Sequence, residues 1–337
     1  MRAARFLEVG KVETGEAPVP AVRPETALIE VKACGVCGTD VHIFKGEFPA
    51  EFPVIPGHEL SGIVREVGPG VTIVKPGDVV VVDPNIVCHL CVHCREGRRH
   101  LCANLKNYGI EVDGGFAEYI LVREREIVPV ADMGGRPFEH FALSEPVGCC
   151  LHGIGLAEIT AGDTVVILGA GPIGLIMTQL ARMRGAARLV VIEPAEMKRE
   201  LAKSLGADEV YGPEVLPTEE GRGDLFQVAD VAFDCAGREA TAGMLVPLLR
   251  DGGRGMFFGV CAPQDRVTLS PYEIYRRELT LRGSFTKAFT LLDAVALIAA
   301  GKVNLAPLIS NRYAVEEFPV ALSRVGAPDT IKNMVVF

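Results

Sequence analysis

Residues 163–174 read DTVVILGAGPIG, a stretch that leaves a chain few choices of fold. The run TVVIL reads as an apolar strand. It ends in Gly169, Ala170, Gly171, Pro172, Ile173 and Gly174, and an apolar helical stretch then continues to about Arg184. Gly169 permits the tight turn, Gly171 lets backbone approach a pyrophosphate, and Gly174 lets the helix pack on the strand, with Ile173 in the same turn. A dinucleotide's pyrophosphate would rest on the helix N-terminus, where N–H groups and the dipole favour anions. The run 164–181 nears membrane-span length. Its three glycines, its proline, Thr178 and Gln179 suit a strand turning into a helix better, and no membrane partner is expected.

A second strand, RLVVIE, ends at Glu193. A carboxylate about twenty residues past the glycines can hydrogen-bond the adenosine ribose hydroxyls and would repel a 2′-phosphate, so NAD is expected over NADP. Lys198 is placed with the cofactor residues, although it and Arg199 also read as exposed helix charges. Alternation continues with a helical AEMKRELAKSLGA, a short EVYG, strand VADVAFDCAG (228–237) and a helix to about Arg250. Strands GRGMFFGV (253–260) and LTLRGSF (279–285) follow. This is the order of a parallel doubly wound α/β sheet. Gly259, Val260, Ser284 and Phe285, at the ends of the last two strands, are expected to border the nicotinamide crevice. Residues 1–147 differ. Short β runs (ALIEVKAC, GIVREVG, DVVVVD, FAEYILV) are broken by VGPGV, KPGD and DGG, which predicts a mostly antiparallel, barrel-like architecture. Residues 286–337 add one amphipathic helix and a closing KNMVVF strand.

Cys88, Cys91, Cys94 and Cys102 are spaced C-x2-C-x2-C-x7-C. Such a loop can present four thiolates to one tetrahedral zinc, and a filled shell leaves no place for water or substrate, so this ion is structural. Disulfides between such near neighbours would be crowded. An iron–sulfur cluster is the rarer alternative. His89, His93 and His100 are read as exposed loop residues.

A second set is spread along the chain in ACGVCGTDVHIFKG (33–46), IPGHELSG (55–62) and LSEPVGCCLHG (143–153). Each part alone is weak: Cys34 and Cys37 could be a redox pair, though no βαβ pattern surrounds them, and Glu145 could cap a helix. Together they offer mixed Cys, His and carboxylate donors, as an open catalytic zinc uses. Cys37 and His58 would be fixed ligands, with Glu59 or Glu145 completing the protein's share. Zinc lowers the pKa of bound water to roughly 7, and an alcohol hydroxyl should respond similarly.

A net charge of −9 argues against a nucleic-acid partner. Ten cysteines and an N-terminus without an apolar signal core suggest a reducing, cytoplasmic setting. Cys149, Cys150, Cys235 and Cys261 read as small core residues. The 337 residues suffice for two domains.

CGVCGTDVH, PGHELSGIV, the four-cysteine loop, SEPVGCCLHG, GAGPIG and GSFT together resemble the zinc-dependent medium-chain alcohol dehydrogenases, in the branch of sorbitol (polyol) and threonine dehydrogenases. The resemblance spans the chain. It implies a GroES-like catalytic domain over 1–147, a Rossmann domain over 148–285 and a return segment, 286–337, that completes the first. It gives Cys37, His58 and Glu59 as catalytic zinc ligands and Glu145 as an acidic residue that can approach or bind the metal. Thr39 and His42 become the relay that carries the hydroxyl proton to solvent. Two zinc ions per chain, NAD, a small alcohol substrate and a homodimer or homotetramer are implied. Asn85 stands where threonine dehydrogenases carry a histidine, so the expectation leans to oxidation of a secondary alcohol of a polyol to a ketone. L-Threonine 3-dehydrogenase is the alternative. A non-catalytic, zinc-stabilised dinucleotide-binding protein is the rival of another class.

Overall fold

A computed structural model describes residues 1–217 and 223–337. The chain divides into two compact units, Met1–Gly148 with Ala288–Phe337, and Cys149–Lys287.

The second unit is built on six parallel strands. In space they run Glu209–Tyr211, Arg188–Ile192, Thr164–Leu168, Ala229–Asp234, Leu249–Phe257, Thr280–Gly283. In chain order this is 3-2-1-4-5-6, the doubly wound dinucleotide-binding order. Val165, Val166, Ile167 and Leu168 are all buried, which is why that strand reads as an unbroken apolar run. The order reverses between Thr164–Leu168 and Ala229–Asp234, and ligands bind at such a point, outside the carboxyl ends of the strands. One expectation is revised. Instead of a single helix to about Arg250, short helices Glu239–Gly243 and Leu245–Leu248 precede a strand that starts at Leu249. Pro247 lacks the N–H that a longer helix would need there.

The first unit holds a seven-stranded sheet. Strand Thr26–Val36 pairs antiparallel with Glu59–Val67, Tyr119–Arg123 and Lys332–Val336. Val79–Val82 and Ile127–Pro129 extend it antiparallel, and Ile309–Tyr313 joins Lys332–Val336 in parallel. The sheet is therefore mostly antiparallel, as the broken β runs suggest. Its core gathers Phe6, Ile29, Leu60, Phe116 and Phe318. Gly62 allows the two central strands to meet, since a Cβ there would lie 2.2 Å from the Glu30 carbonyl oxygen. Helix Gly38–Phe44 follows the central strand directly, capped by Cys37, and Glu59 opens the next strand. The turn from strand to helix and the start of the neighbouring strand thus converge at one end of the sheet.

Candidate active site

Cys37, His58 and Glu59 meet at that end, with one donor atom from each within 4.8 Å of the others. Their placement follows from local structure. The Cys37 sulfur accepts the Thr39 N–H at 3.5 Å as helix cap, and Asp40, at the third helical position, returns the favour by accepting the Cys37 N–H at 2.8 Å. Asp40 is fully buried, and its Oδ1 lies 3.7 Å from His58 Nδ1. Neither of these two atoms has a hydrogen-bond partner among the described residues. A carboxylate near one imidazole nitrogen is the usual support of a metal-bound histidine.

The electrostatics are those of a crowded acidic site. Burial drives the Asp40 carboxyl up to about 6, against the opposing pull of His58. Burial disfavours a charge on His58, yet the Cys37 thiolate, Asp40 and Glu145 outweigh it and push His58 up to about 10. Three acidic groups around one imidazole are an environment for a cation. Three protein donors with a fourth place open match a catalytic zinc. Glu145, buried in the first turn of helix Ser144–Ala157, acts on His58 through its charge but lies outside the close donor group. Cys34 is no ligand. It is wholly buried, burial raises its thiol far above the usual range, and a Cβ on Gly57 or Gly115 would strike its sulfur.

Cys88, Cys91, Cys94 and Cys102 form a second group, each donor within 4.8 Å of the rest. The Cys88 and Cys102 sulfurs are 3.4 Å apart, close to the separation of about 3.8 Å that two Zn–S bonds of about 2.3 Å impose in a tetrahedron. N–H groups of Leu90 and Cys91 bring Cys88 down to about 6, whereas burial and the neighbouring sulfurs push Cys94 up to about 12. All ten cysteines are free of disulfides. His89 is exposed, as expected, but His93 and His100 are half-buried, a correction to the reading of all three as exposed; none joins the sulfur group.

In the second unit, Gly169 has φ +98° and leads into helix Pro172–Met183, whose N-cap Gly171 makes no side-chain cap bond. A Cβ on Gly171 would meet only open space, which leaves room for a phosphate against the backbone. On Gly174 it would lie 1.9 Å from the Gly169 carbonyl oxygen. Gly174→Ala is therefore expected to cost about 1–3 kcal/mol through overpacking and to weaken NAD binding at least tenfold; calorimetric titration checks it. Ile173 lies in the first turn. Glu193 accepts N–H bonds from Ala170 at 2.8 Å and Ala195 at 3.0 Å, which ties the acidic strand end to the glycine turn. Lys198 is buried, and Arg199 donates to the Glu193 and Pro194 carbonyls, so neither is the free helix charge of the simpler reading. Gly259, Val260, Ser284 and Phe285 lie past the carboxyl ends of their strands, Val260 and Phe285 well exposed.

Two family models match the chain: "Alcohol dehydrogenase GroES-like domain" over residues 23–132 and "Zinc-binding dehydrogenase" over residues 172–300. The chain belongs to the zinc-dependent medium-chain alcohol dehydrogenases. Within this family it is 37% identical to D-altritol 5-dehydrogenase of Agrobacterium fabrum over 98% of both chains. It is 34% identical to L-threonine 3-dehydrogenase of Pyrococcus horikoshii, over 89% of this chain and 88% of that one. Among solved structures, a protein described as a zinc-binding dehydrogenase of Sinorhizobium meliloti 1021, bound to NADP, superposes with a TM-score of 0.94. That pair shares 37% identity and covers 100% of this chain and 99% of the other. No helix among the described residues is long and apolar enough to cross a membrane.

Sequence reasoning missed three residues of the site. Asp40 carries a weak signal, its capping-box spacing after Cys37. Glu47, whose Oε2 is 2.7 Å from His42 Nδ1, is an ordinary loop acid to the eye. Lys332, whose Nζ donates to both oxygens of Glu59, lies 273 residues away in sequence and carries no signal at all.

Proposed function

We propose that the protein oxidises a secondary hydroxyl of a polyol to a ketone and passes the hydride to NAD. The observation that carries this reading is the three-donor set Cys37, His58 and Glu59, which leaves a coordination place open, whereas the four-sulfur set is closed. Zinc at the open set supplies a Lewis acid that acidifies the alcohol, and the nicotinamide supplies the hydride acceptor. The chain's own groups handle the proton. The Thr39 hydroxyl is 3.6 Å from the Cys37 sulfur, next to the donor set, and takes the substrate proton. His42 sits three residues on along the same helix, half-exposed, and passes the proton to solvent, with Glu47 accepting from its Nδ1–H. Glu145 adds a negative charge beside His58 and is the reserve acidic residue of the site. Gly169, Gly171, Ile173 and Gly174 cradle the pyrophosphate, Glu193 and Lys198 face the adenosine ribose, and Gly259, Val260, Ser284 and Phe285 border the nicotinamide.

Glu193 supports NAD over NADP, because a carboxylate repels a 2′-phosphate. Glu193→Gln is expected to reduce the NAD:NADP ratio of kcat/KM about tenfold, the scale of one lost charge contact. A ratio equal to wild type removes the assignment. Polyol preference is supported by likeness to an altritol dehydrogenase and by buried Asn85, which stands where the resemblance to threonine dehydrogenases implies a histidine. A panel of sorbitol, xylitol, arabitol, altritol and threonine, followed by NADH absorbance with metal content on the same sample, tests it. Threonine alone supporting NADH formation would overturn the substrate class; one zinc per chain and no turnover would favour the non-catalytic rival. A cytoplasmic protein, assembled as a dimer or tetramer, accords with its free thiols and with the family.

A further inference from the structure

Lys332 is an unexpected charge to find inside this sheet. It opens strand Lys332–Val336, is 4% exposed, and donates to Glu59 Oε1 and Oε2 at 2.8 Å each and to the Val36 carbonyl at 3.1 Å. Those three bonds use all three ammonium protons. Burial works against its charge, and Glu59 and Cys37 outweigh that effect. The strand opposite carries Gly35, where a Cβ would come 2.1 Å from Glu59 Oε2, so the carboxylate lies in space that only glycine leaves free. Burying such a pair carries a heavy desolvation penalty for each ion, and apolar residues of the same volume would often stabilise the fold as well or better. The pair is thus a poor device for stability, yet it stands on a residue of the open donor set.

Its effect there follows from charge and geometry. A carboxylate that accepts an ammonium at both oxygens has less negative charge to offer a metal. Cys37 has no ammonium bonded to it: its sulfur meets the Thr39 N–H at 3.5 Å and the Thr39 hydroxyl at 3.6 Å. The positive charge also offsets one of two anionic donors and keeps the centre electron-poor. We propose that Lys332 is a positioning residue that holds Glu59 as a weak, displaceable ligand, so that the third protein donor yields its place when substrate arrives. This rests on the reading of Cys37, His58 and Glu59 as the zinc donors.

Cobalt(II)-loaded protein gives the test, since its visible bands report the ligand set and a chelator measures how firmly the metal is held. Lys332→Met frees Glu59 for the metal: the bands shift, chelator removal slows at least tenfold, and kcat falls. In Glu59→Gln the bands also shift, and adding Lys332→Met to it changes nothing further, because the lysine acts through Glu59. Lys332→Gln, neutral but able to keep one hydrogen bond, replaces the methionine variant if that one does not fold, and slows removal in the same sense. Wild-type bands with wild-type or faster removal in the folded lysine variants overturn the proposal. Unchanged bands in Glu59→Gln would instead sink the ligand reading on which it stands.

Discussion

Replacing Cys37 with serine or His58 with alanine is expected to lower turnover about 10⁴-fold, equivalent to about 5–6 kcal/mol of lost transition-state stabilisation, while NAD binding stays within twofold. Each change removes one of only three protein donors at the open set, so the metal is lost or displaced. The glycine turn, Glu193 and the parallel sheet lie in the other compact unit, built from residues 149–287, and are untouched. The chain has no tryptophan, so intrinsic indole fluorescence cannot follow the cofactor and calorimetry is the method for binding. Activity above one-hundredth of wild type in both variants would refute the metal-centred reading. Loss of NAD affinity in step with turnover would point to a disturbed fold.

Cys91→Ser acts on stability instead. Loop 88–102 buries little apolar surface in its helical turns. Its helix Val92–Arg95 and its 3-10 turn Arg99–Leu101 contain no buried residue, and Leu90 and Val92 are 71% and 58% exposed. Arg99 adds a tie, pairing with buried Asp83 and lying over the Phe289 ring at 4.7 Å. A structural zinc contributes folding free energy outright. Loss of about 3 kcal/mol should lower Tm by about 10 °C in a unit of this size, and zinc content should fall from two ions per chain to one. An unchanged melting temperature contradicts a structural role. Residual activity at low temperature is expected to persist, because Cys37, His58 and Glu59 are a separate group.

What could be read without coordinates were the features whose chemistry is local. GAGPIG announces itself because strand, turn and helix are consecutive and each glycine has a steric duty, seen at Gly169 with φ +98° and at Gly174 against the Gly169 carbonyl. The cysteine loop is legible for the same reason: one short segment supplies all four donors. The open set was harder, because Cys37 and the pair His58–Glu59 come from separate segments; donor chemistry suggested the set, and likeness to a family chose Glu59 as the third ligand. Pairings across the sheet were invisible. Nothing in KNMVVF says that its lysine points inward to a carboxylate. Burial of Lys198 was equally hidden, since a charge on a helix next to solvent-facing neighbours reads as exposed. The single helix expected to Arg250 was broken because Pro247 has no N–H to continue the ladder.

Strand Lys332–Val336 lies between Ile309–Tyr313 and Thr26–Val36, yet it follows the whole 149–287 unit in chain order. A nascent chain leaves the ribosome N-terminus first and domains fold as units. The nucleotide-binding sheet can therefore close during synthesis, while the sheet that carries Cys37, His58 and Glu59 still lacks an inner strand and the counter-charge of Glu59. Completion of the Cys37, His58 and Glu59 group is accordingly expected late in synthesis, and a nascent chain stalled before residue 332 should hold a finished nucleotide-binding sheet while that group still lacks Lys332.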